Sequence, residues 1–360
     1  MSLVHVVVPD GVDDPLRPSG GNTYDRRLCA GLAALGWTVQ EHSVVADDRC
    51  GTASSPASAL CEALAPVPDG DVVLLDGLVA SGRPEVLRAL AGRLRVVVLV
   101  HLPLALDLPA GAGEVRASEL RAREAAALHG AAHVVTTSRW TRRWLLDAYG
   151  LDPSAVTVAV PGVDPAAAVA GDPRGRRLLC VGAVIPAKGH DVLLEALARV
   201  GDPGWVCELV GSLERDPGFV EQLRRRALEL GIADRVRFRG ALAGTALDAA
   251  YARADLFVTA SRGETYGMVV TVALAHGIPV LATRVGGLPE ALGHTPAGRR
   301  PGVLAPPDDP AAFAGAIQHW LGDARLRQEL RHAAAERRPL LPSWSATSTE
   351  VARVLAGVAA

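Results

Sequence analysis

The sequence predicts an α/β protein built from two doubly wound units in tandem, each a parallel sheet with helices on both faces. Three observations carry this. Short β-branched runs alternate with longer helix-like segments, the order of parallel strands joined by crossover helices. The strand runs are apolar throughout, as strands buried on both faces must be. The series also pauses and restarts: "PGVDPAAAVAGDPRGRR" (Pro161–Arg177) is rich in proline, glycine and charge, and new strands begin at "LLCVGAV" (Leu178–Val184).

In order, Val4–Val8 reads as a buried strand, followed by a loop to Gly21 and a helix over Asn22–Leu35 that Gly36 stops. Val72–Leu75, Val96–Val100 and His133–Thr136 repeat the strand signal, with alanine-rich helices between them. Beyond the linker, Val206–Val210, Val236–Arg239, Leu256–Thr259 and Val280–Thr283 do the same. Residues 1–170 and 171–343 are therefore expected to form two Rossmann-like domains facing across a cleft. The helix-like tail Trp344–Ala360 attaches to neither on pattern alone.

Composition narrows the function. A chain of 360 residues exceeds the usual size of one core, and 49% hydrophobic residues supply two. A net charge of −2 and 4% aromatics argue against a nucleic-acid partner. Cys29, Cys50, Cys61, Cys180 and Cys207 are scattered without a C-x-x-C pair, which suits a reducing cytoplasm. "LVHVVVP" shows no signal-peptide pattern, and runs such as Val96–Val100 are too short to span a bilayer. The expected location is cytoplasmic.

Three strand-loop-helix junctions carry candidate chemistry. In "PSGGNTY" (Pro18–Tyr24), Gly20 and Gly21 let backbone N–H groups approach an anion at a helix N-terminus, and Asn22 is placed to cap that helix. A plain structural turn is the competing reading. In "VGAVIPAKGHDVLLEAL" (Val181–Leu197), Lys188, the chain's only lysine, stands beside Gly189 where a cation reaches an anion near the helix end. A solvated surface lysine is the alternative. In "SRGETYG" (Ser261–Gly267), Glu264 precedes a helix read from Met268 to Gly277; its carboxylate suits sugar hydroxyls or, more simply, helix capping. The N–H groups of Gly267 and Met268 would then face phosphate. All three junctions lie at carboxyl ends of predicted strands, where open α/β sheets bind ligands.

Together with "VVVLVHLPL", "VVTTSRWTRRWL", "VAVPGVDP" and "ASRGETYGMVVTVALAHGIPVLATRVGGLPEAL", these stretches resemble retaining glycosyltransferases of the GT-B fold, family 4 type, along nearly the whole chain. The resemblance implies a hexosyl-type transferase with a nucleotide-diphospho-sugar donor as co-substrate, bound mainly by the C-terminal domain. The N-terminal domain would bind a small-molecule, glycan or lipid acceptor, and the final helix would cross back onto it. No cofactor or metal is implied, and the acidic pairs Asp13–Asp14, Asp47–Asp48 and Asp308–Asp309 read as solvated turns. Carried over by residue, Gly20, Gly21 and Gly182 line the donor diphosphate and Lys188 neutralises it as it leaves. Glu264 holds hydroxyls of the transferred sugar, with Tyr266, Gly267, Met268 and Val269 beside it. His101 matches a histidine near the reacting sugar, although alone it would read as a core histidine. Asp10, Asn22, Tyr24 and His101 are the acceptor-side expectation.

Two positions depart from the family pattern. Ala183 stands where many members carry an arginine that joins the lysine, leaving Arg262 or Arg284 as candidate helpers. Val272 stands at the second acid of E-x7-E, about 12 Å of helix rise beyond the first if the whole spacing were helical. Valine cannot accept the ribose hydrogen bonds an acid there would. The departures keep open a degenerate nucleotide-sugar-binding or partner protein, besides a GT-B epimerase or phosphorylase. "SRWTRRWLLDAYG" (Ser138–Gly150) adds a further open choice, between a packed helix with snorkelling arginines and a weak peripheral membrane contact.

Overall fold

The computed structural model describes residues 2–14, 18–45, 56–106 and 113–359. Its strands form two six-stranded, wholly parallel sheets. In the first, β1 (Leu3–Pro9), β2 (Thr38–Val44), β3 (Val72–Asp76), β4 (Arg95–Val100), β5 (His133–Thr136) and β6 (Val156–Val158) lie in the order β2-β1-β3-β4-β5-β6. In the second, β7 (Arg177–Val181), β8 (Val206–Val210), β9 (Val236–Gly240), β10 (Leu256–Thr259), β11 (Val280–Thr283) and β12 (Gly302–Ala305) lie in the order β12-β11-β10-β7-β8-β9. The strand order therefore reverses between β1 and β3, and again between β7 and β10. Crossover loops leave in opposite directions at such a point, opening a crevice at the carboxyl ends of the two strands.

The continuous apolar runs follow from burial on both faces. In β4, Val97 and Leu99 join a cluster with Val4, Val6, Tyr24, Leu28 and Leu32, while Val96, Val98 and Val100 join another with Val73, Leu75 and Leu87. Every residue of β3, β10 and β11 is buried. The sequence reading missed three strands. β2 (TVQEHSV) is a polar, largely exposed edge strand; β6 has three residues; β12 has four and begins with glycine.

The chain divides into two compact units, the first taking the N-terminal residues to Asp13, Ser19–Gly162 and Pro342 onward, the second Val163–Leu341. The last helix, Trp344–Ala359, thus belongs to the first unit. Its Thr347 hydroxyl donates to the Val160 carbonyl at 2.7 Å, and its Trp344 ring meets Tyr24 edge-on with centroids 5.7 Å apart. Where it crosses the helix Gly20–Ala34, a Cβ on Gly31 would collide with Ser348, so only glycine permits this approach. Among the described residues, Cys29, Cys61, Cys180 and Cys207 are free thiols, and no helix is long and apolar enough to cross a membrane.

Gly31→Ala is expected to destabilise the protein by about 1–3 kcal/mol through overpacking. Thermal or urea denaturation checks this, and Ser348→Gly in the same chain should restore part of the loss. A wild-type melt for the single variant would contradict the packing.

Candidate functional site

In the second unit, the loops leaving β7 and β10 carry the two residues singled out in the sequence. After β7 the chain passes Gly182 and Ala183, makes a 3-10 turn over Pro186–Lys188 and enters the helix His190–Ala198 through Gly189 at φ +64°. A Cβ on Gly189 would collide with the Ala260 carbonyl, so glycine is required both by the left-handed backbone and by the close approach to the end of β10. The loop after β10 is sewn to this turn. The Arg262 N–H donates to the Ala187 carbonyl at 2.9 Å. Its guanidinium donates to Asp191 at 2.7 and 2.9 Å, to Asp308 at 2.7 Å and to the Pro186 carbonyl at 2.5 Å. From the other side, the Gly287 N–H donates to the Glu264 carbonyl at 2.8 Å, and a Cβ on Gly286 would strike that same oxygen.

The result is an ion pair between Lys188 Nζ and Glu264 Oε1, with the Ser261 hydroxyl donating to the same oxygen at 3.2 Å. The Lys188 and Glu264 side chains keep 28% and 14% exposure, so both remain reachable by a ligand. The lysine stem passes over Gly182, where an added Cβ would lie 3.7 Å from Lys188 Cγ. Beyond Glu264, the helix Met268–Ala275 starts at Gly267 without a side-chain cap. Its first N–H groups, on Met268 and Val269, have no intrahelical acceptor. Val272 lies half-buried in the next turn.

Several expectations need correction here. Tyr266 is 4% exposed, and burial pushes its hydroxyl upward, so its side chain packs inside and only its backbone borders the site. Arg262 is neither a surface arginine nor a free helper, because its guanidinium is engaged by two carboxylates and a carbonyl. Arg284 is exposed. Asp308 and Asp309 are not merely solvated: Asp308 holds Arg262, and Asp309 caps the helix Pro310–Gly322 by accepting from the Ala312 N–H at 2.9 Å. Asp13 is likewise bonded to Arg26, at 2.6 and 2.7 Å. Asp47, Asp48 and Cys50 lie outside the described residues, as do parts of the loops after β1 and β4.

In the first unit, the helix after β1 runs Gly20–Ala34, two residues earlier than expected. Its cap is Ser19, whose hydroxyl accepts from the Asn22 N–H at 3.0 Å; Asn22 is not the cap. The N–H groups of Gly20 and Gly21 therefore stand in the uncompensated first turn. A Cβ on Gly21 would lie 3.4 Å from His101 Cδ2, so the imidazole after β4 rests against this turn. His101 Nε2 is 2.8 Å from Asp25 Oδ1 and 3.5 Å from Asp76 Oδ2, and both carboxylates are buried. Burial alone would push the imidazole down, but the charge and hydrogen bond of Asp25, with the charge of Asp76, outweigh it and raise His101 to about 9. Asp76 is raised by burial and then by Asp25. The ligand-capable atoms of this trio lie within 4.8 Å of one another.

Asp25 and Asp76 escaped the sequence reading. An acid four residues into a helix after Gly-Gly, and an acid closing an apolar strand, were the available signals. Tyr24, expected on the acceptor side, is fully buried; its hydroxyl donates to the Ala159 carbonyl at 2.9 Å and is raised by burial. Asp10 is exposed at the end of β1, and Asn22 is half-buried. In the helix Arg139–Tyr149, Trp144 meets Tyr149 edge-on at 5.2 Å, and Arg142 donates to the Val156 and Pro153 carbonyls at 2.9 and 2.8 Å. Trp144 and Arg142 are therefore packed, while Arg139 and Arg143 are exposed.

Residues 69–167 match the glycosyltransferase family 4 profile, and residues 175–323 match that of glycosyl transferases group 1. The chain is 34% identical over 226 residues to a D-inositol 3-phosphate glycosyltransferase of Jonesia denitrificans, covering 57% of this chain and 52% of the relative. Over 252 residues it is 34% identical to the Thermomonospora curvata protein of the same name, covering 63% and 57%. It thus spans about half the length of the curated relatives it matches. Among solved structures, sucrose-phosphate synthase from Thermosynechococcus elongatus superposes with a TM-score of 0.79 at 23% identity, covering 99% of both chains. Anabaena HepE in complex with UDP-glucose superposes at 0.77 and 17%, covering 99% of this chain and 100% of its own. At those identities the likeness establishes the fold, which is GT-B.

A raised histidine fixes the sign of one pH effect. Its contribution to stability is fully present below the ordinary value of about 6.5 and is lost as pH rises through about 9. Chemical denaturation should therefore show stability falling between pH 6.5 and 9; a flat profile there would contradict the His101 environment.

Proposed function

We propose that this chain, which belongs to the family 4 glycosyltransferases of the GT-B fold, moves a sugar from a nucleotide-diphospho-sugar to an acceptor hydroxyl. Transfer would retain the anomeric configuration and need no divalent metal. The observation that carries this reading is the pairing of Lys188 with Glu264 where the strand order of the second sheet reverses. One crevice thus holds a cation for a diphosphate and a carboxylate for sugar hydroxyls. A donor arriving there offers Lys188 a phosphate in place of Glu264 and leaves the carboxylate to accept from the sugar. The uncapped N-terminus of the helix Met268–Ala275 adds partial positive charge on the same side.

The mechanism that suits these groups is front-face substitution. The acceptor oxygen bonds to the anomeric carbon as the bond to the β-phosphate oxygen breaks, and the acceptor's proton passes to that departing oxygen. The protein then supplies no nucleophile. Its task is to stabilise charge growing on the diphosphate, which falls to Lys188 and the helix N-terminus, and to orient the oxocarbenium-like sugar. The UDP-glucose complex of the Anabaena protein supports this donor class. The acceptor is a small molecule, a glycan or a lipid; the name of the sequence relatives, D-inositol 3-phosphate glycosyltransferase, supports trying a phosphorylated polyol first.

A second reading, a nucleotide-sugar-binding protein without turnover, has one specific support: Arg262, a candidate substitute for the arginine absent at Ala183, is engaged by Asp191, Asp308 and the Pro186 carbonyl. Donor turnover with Lys188→Ala as control separates the two. The first reading expects kcat to fall about 100- to 1,000-fold on loss of this stabilising group. A donor that binds but never turns over would establish the second. Val272→Glu is expected to tighten donor binding by about tenfold or more per hydrogen bond regained, at about 1.5–3 kcal/mol each. Unchanged affinity by calorimetry would mean that the ribose lies elsewhere.

A further inference from the structure

We propose that Asp25 is a positioning residue that holds His101 as an imidazolium, so that the ring presents an N–H, not a lone pair, to a substrate oxygen. The substrate clause rests on the glycosyltransferase reading; the hold on His101 does not.

The geometry separates the two carboxylates. Asp25 Oδ1 is 2.8 Å from Nε2 and Asp76 Oδ2 is 3.5 Å away. The other oxygen of Asp76 already accepts from the Leu78 N–H at 2.6 Å, where Asp76 caps a short helix. Asp25 Oδ2 is buried and accepts from no N–H or hydroxyl donor among the described residues, and the neighbouring carboxyl of Asp76 is the group that can donate to Asp25 when protonated. A buried carboxylate is costly to the fold unless it is paired, and the cationic partner at hydrogen-bond distance from Asp25 is His101, at 2.8 Å. The groups facing the imidazole are Asp25 and Tyr24 from the helix after β1 and Asp76 from the end of β3. Tyr24 meets the ring edge-on with centroids 5.0 Å apart, and its hydroxyl is bonded to Ala159.

Two carboxylates around one imidazolium would leave a net negative charge in a buried place. Protonation of Asp76, favoured by its burial and by Asp25, relieves that excess and leaves the Asp25–His101 pair intact. With Nε2–H given to Asp25, the tautomer is set, and the second proton resides on Nδ1. Nδ1 makes no hydrogen bond to the described residues. It is thus the remaining donor of a ring whose Cδ2 edge rests against Gly21. A neutral imidazole held by Nε2–H would instead offer only a lone pair, which accepts from a hydroxyl but repels an oxygen that carries no proton.

The test is NMR titration of the His101 ring in the unliganded protein, its signals assigned by their absence in His101→Gln. Wild-type His101 should titrate near 9. Asp25→Asn should bring it down to about 6.5 or below, Asp25→Glu should restore most of the rise, and Asp76→Asn should lower it less than Asp25→Asn does. A wild-type value near 6.5 overturns the proposal even if Asp25→Asn does not fold, as does an Asp25→Asn value equal to wild type. In turnover assays, the alkaline limb of kcat/KM should follow the His101 titration and move to lower pH in Asp25→Asn. An unmoved limb would overturn the substrate clause. Absence of turnover with every donor would remove the glycosyltransferase reading, while the NMR titration would still decide whether Asp25 holds the charge.

Discussion

The site in the second unit depends on backbone brought closer than any side chain would allow. Gly189 lies against the Ala260 carbonyl and Gly286 against the Glu264 carbonyl, so the loops after β7, β10 and β11 form one packed layer. Arg262 locks that layer with its bonds to Asp191, Asp308 and Pro186. Lys188 and Glu264 meet because their loops cannot move apart without breaking these contacts. The ion pair is thus a product of backbone packing more than its cause, in keeping with the modest worth of partly exposed pairs. A cation and a carboxylate preset in this way need little reorganisation when charge develops on a substrate.

The first unit solves a different problem with the same topology. Its central strands are apolar on both faces, yet at the reversal between β1 and β3 it buries two carboxylates and an imidazole. Such groups persist in an interior only when paired. His101, Asp25 and Asp76 pair one another and come from the elements that flank the crevice. In one unit the charge is held at a partly open rim, in the other at the bottom of the strand ends. Both follow from where a doubly wound sheet leaves its crossover loops apart.

The central strands were legible because burial on both faces leaves a run such as "VVVLV" no other use. The edge strand "TVQEHSV" was not, since a strand facing water need not be apolar. Lys188 and Glu264 were legible as strand-loop-helix residues of unusual type in their setting. Their contact was not: they are 76 residues apart, and pairing across that distance is set by strand order. Tyr24 and Tyr266 misled for one reason. Each adjoins a glycine turn that looks exposed, but the side chain turns inward to the core. Arg262 misled in the opposite sense, because nothing local shows that Asp191 and Asp308 converge on it.

The central claim is that the crevice of the second sheet holds a nucleoside diphosphate bearing a sugar. The most direct measurement is a thermal-shift screen against UDP-, GDP-, ADP- and TDP-sugars, repeated on Lys188→Ala. The account predicts that at least one nucleotide family raises the melting temperature of the native chain, by about 3 kcal/mol of added stability at a hundredfold excess over Kd. It also predicts that the shift is lost or much reduced in the variant. No shift with any donor, or a shift that persists undiminished without Lys188, would contradict it.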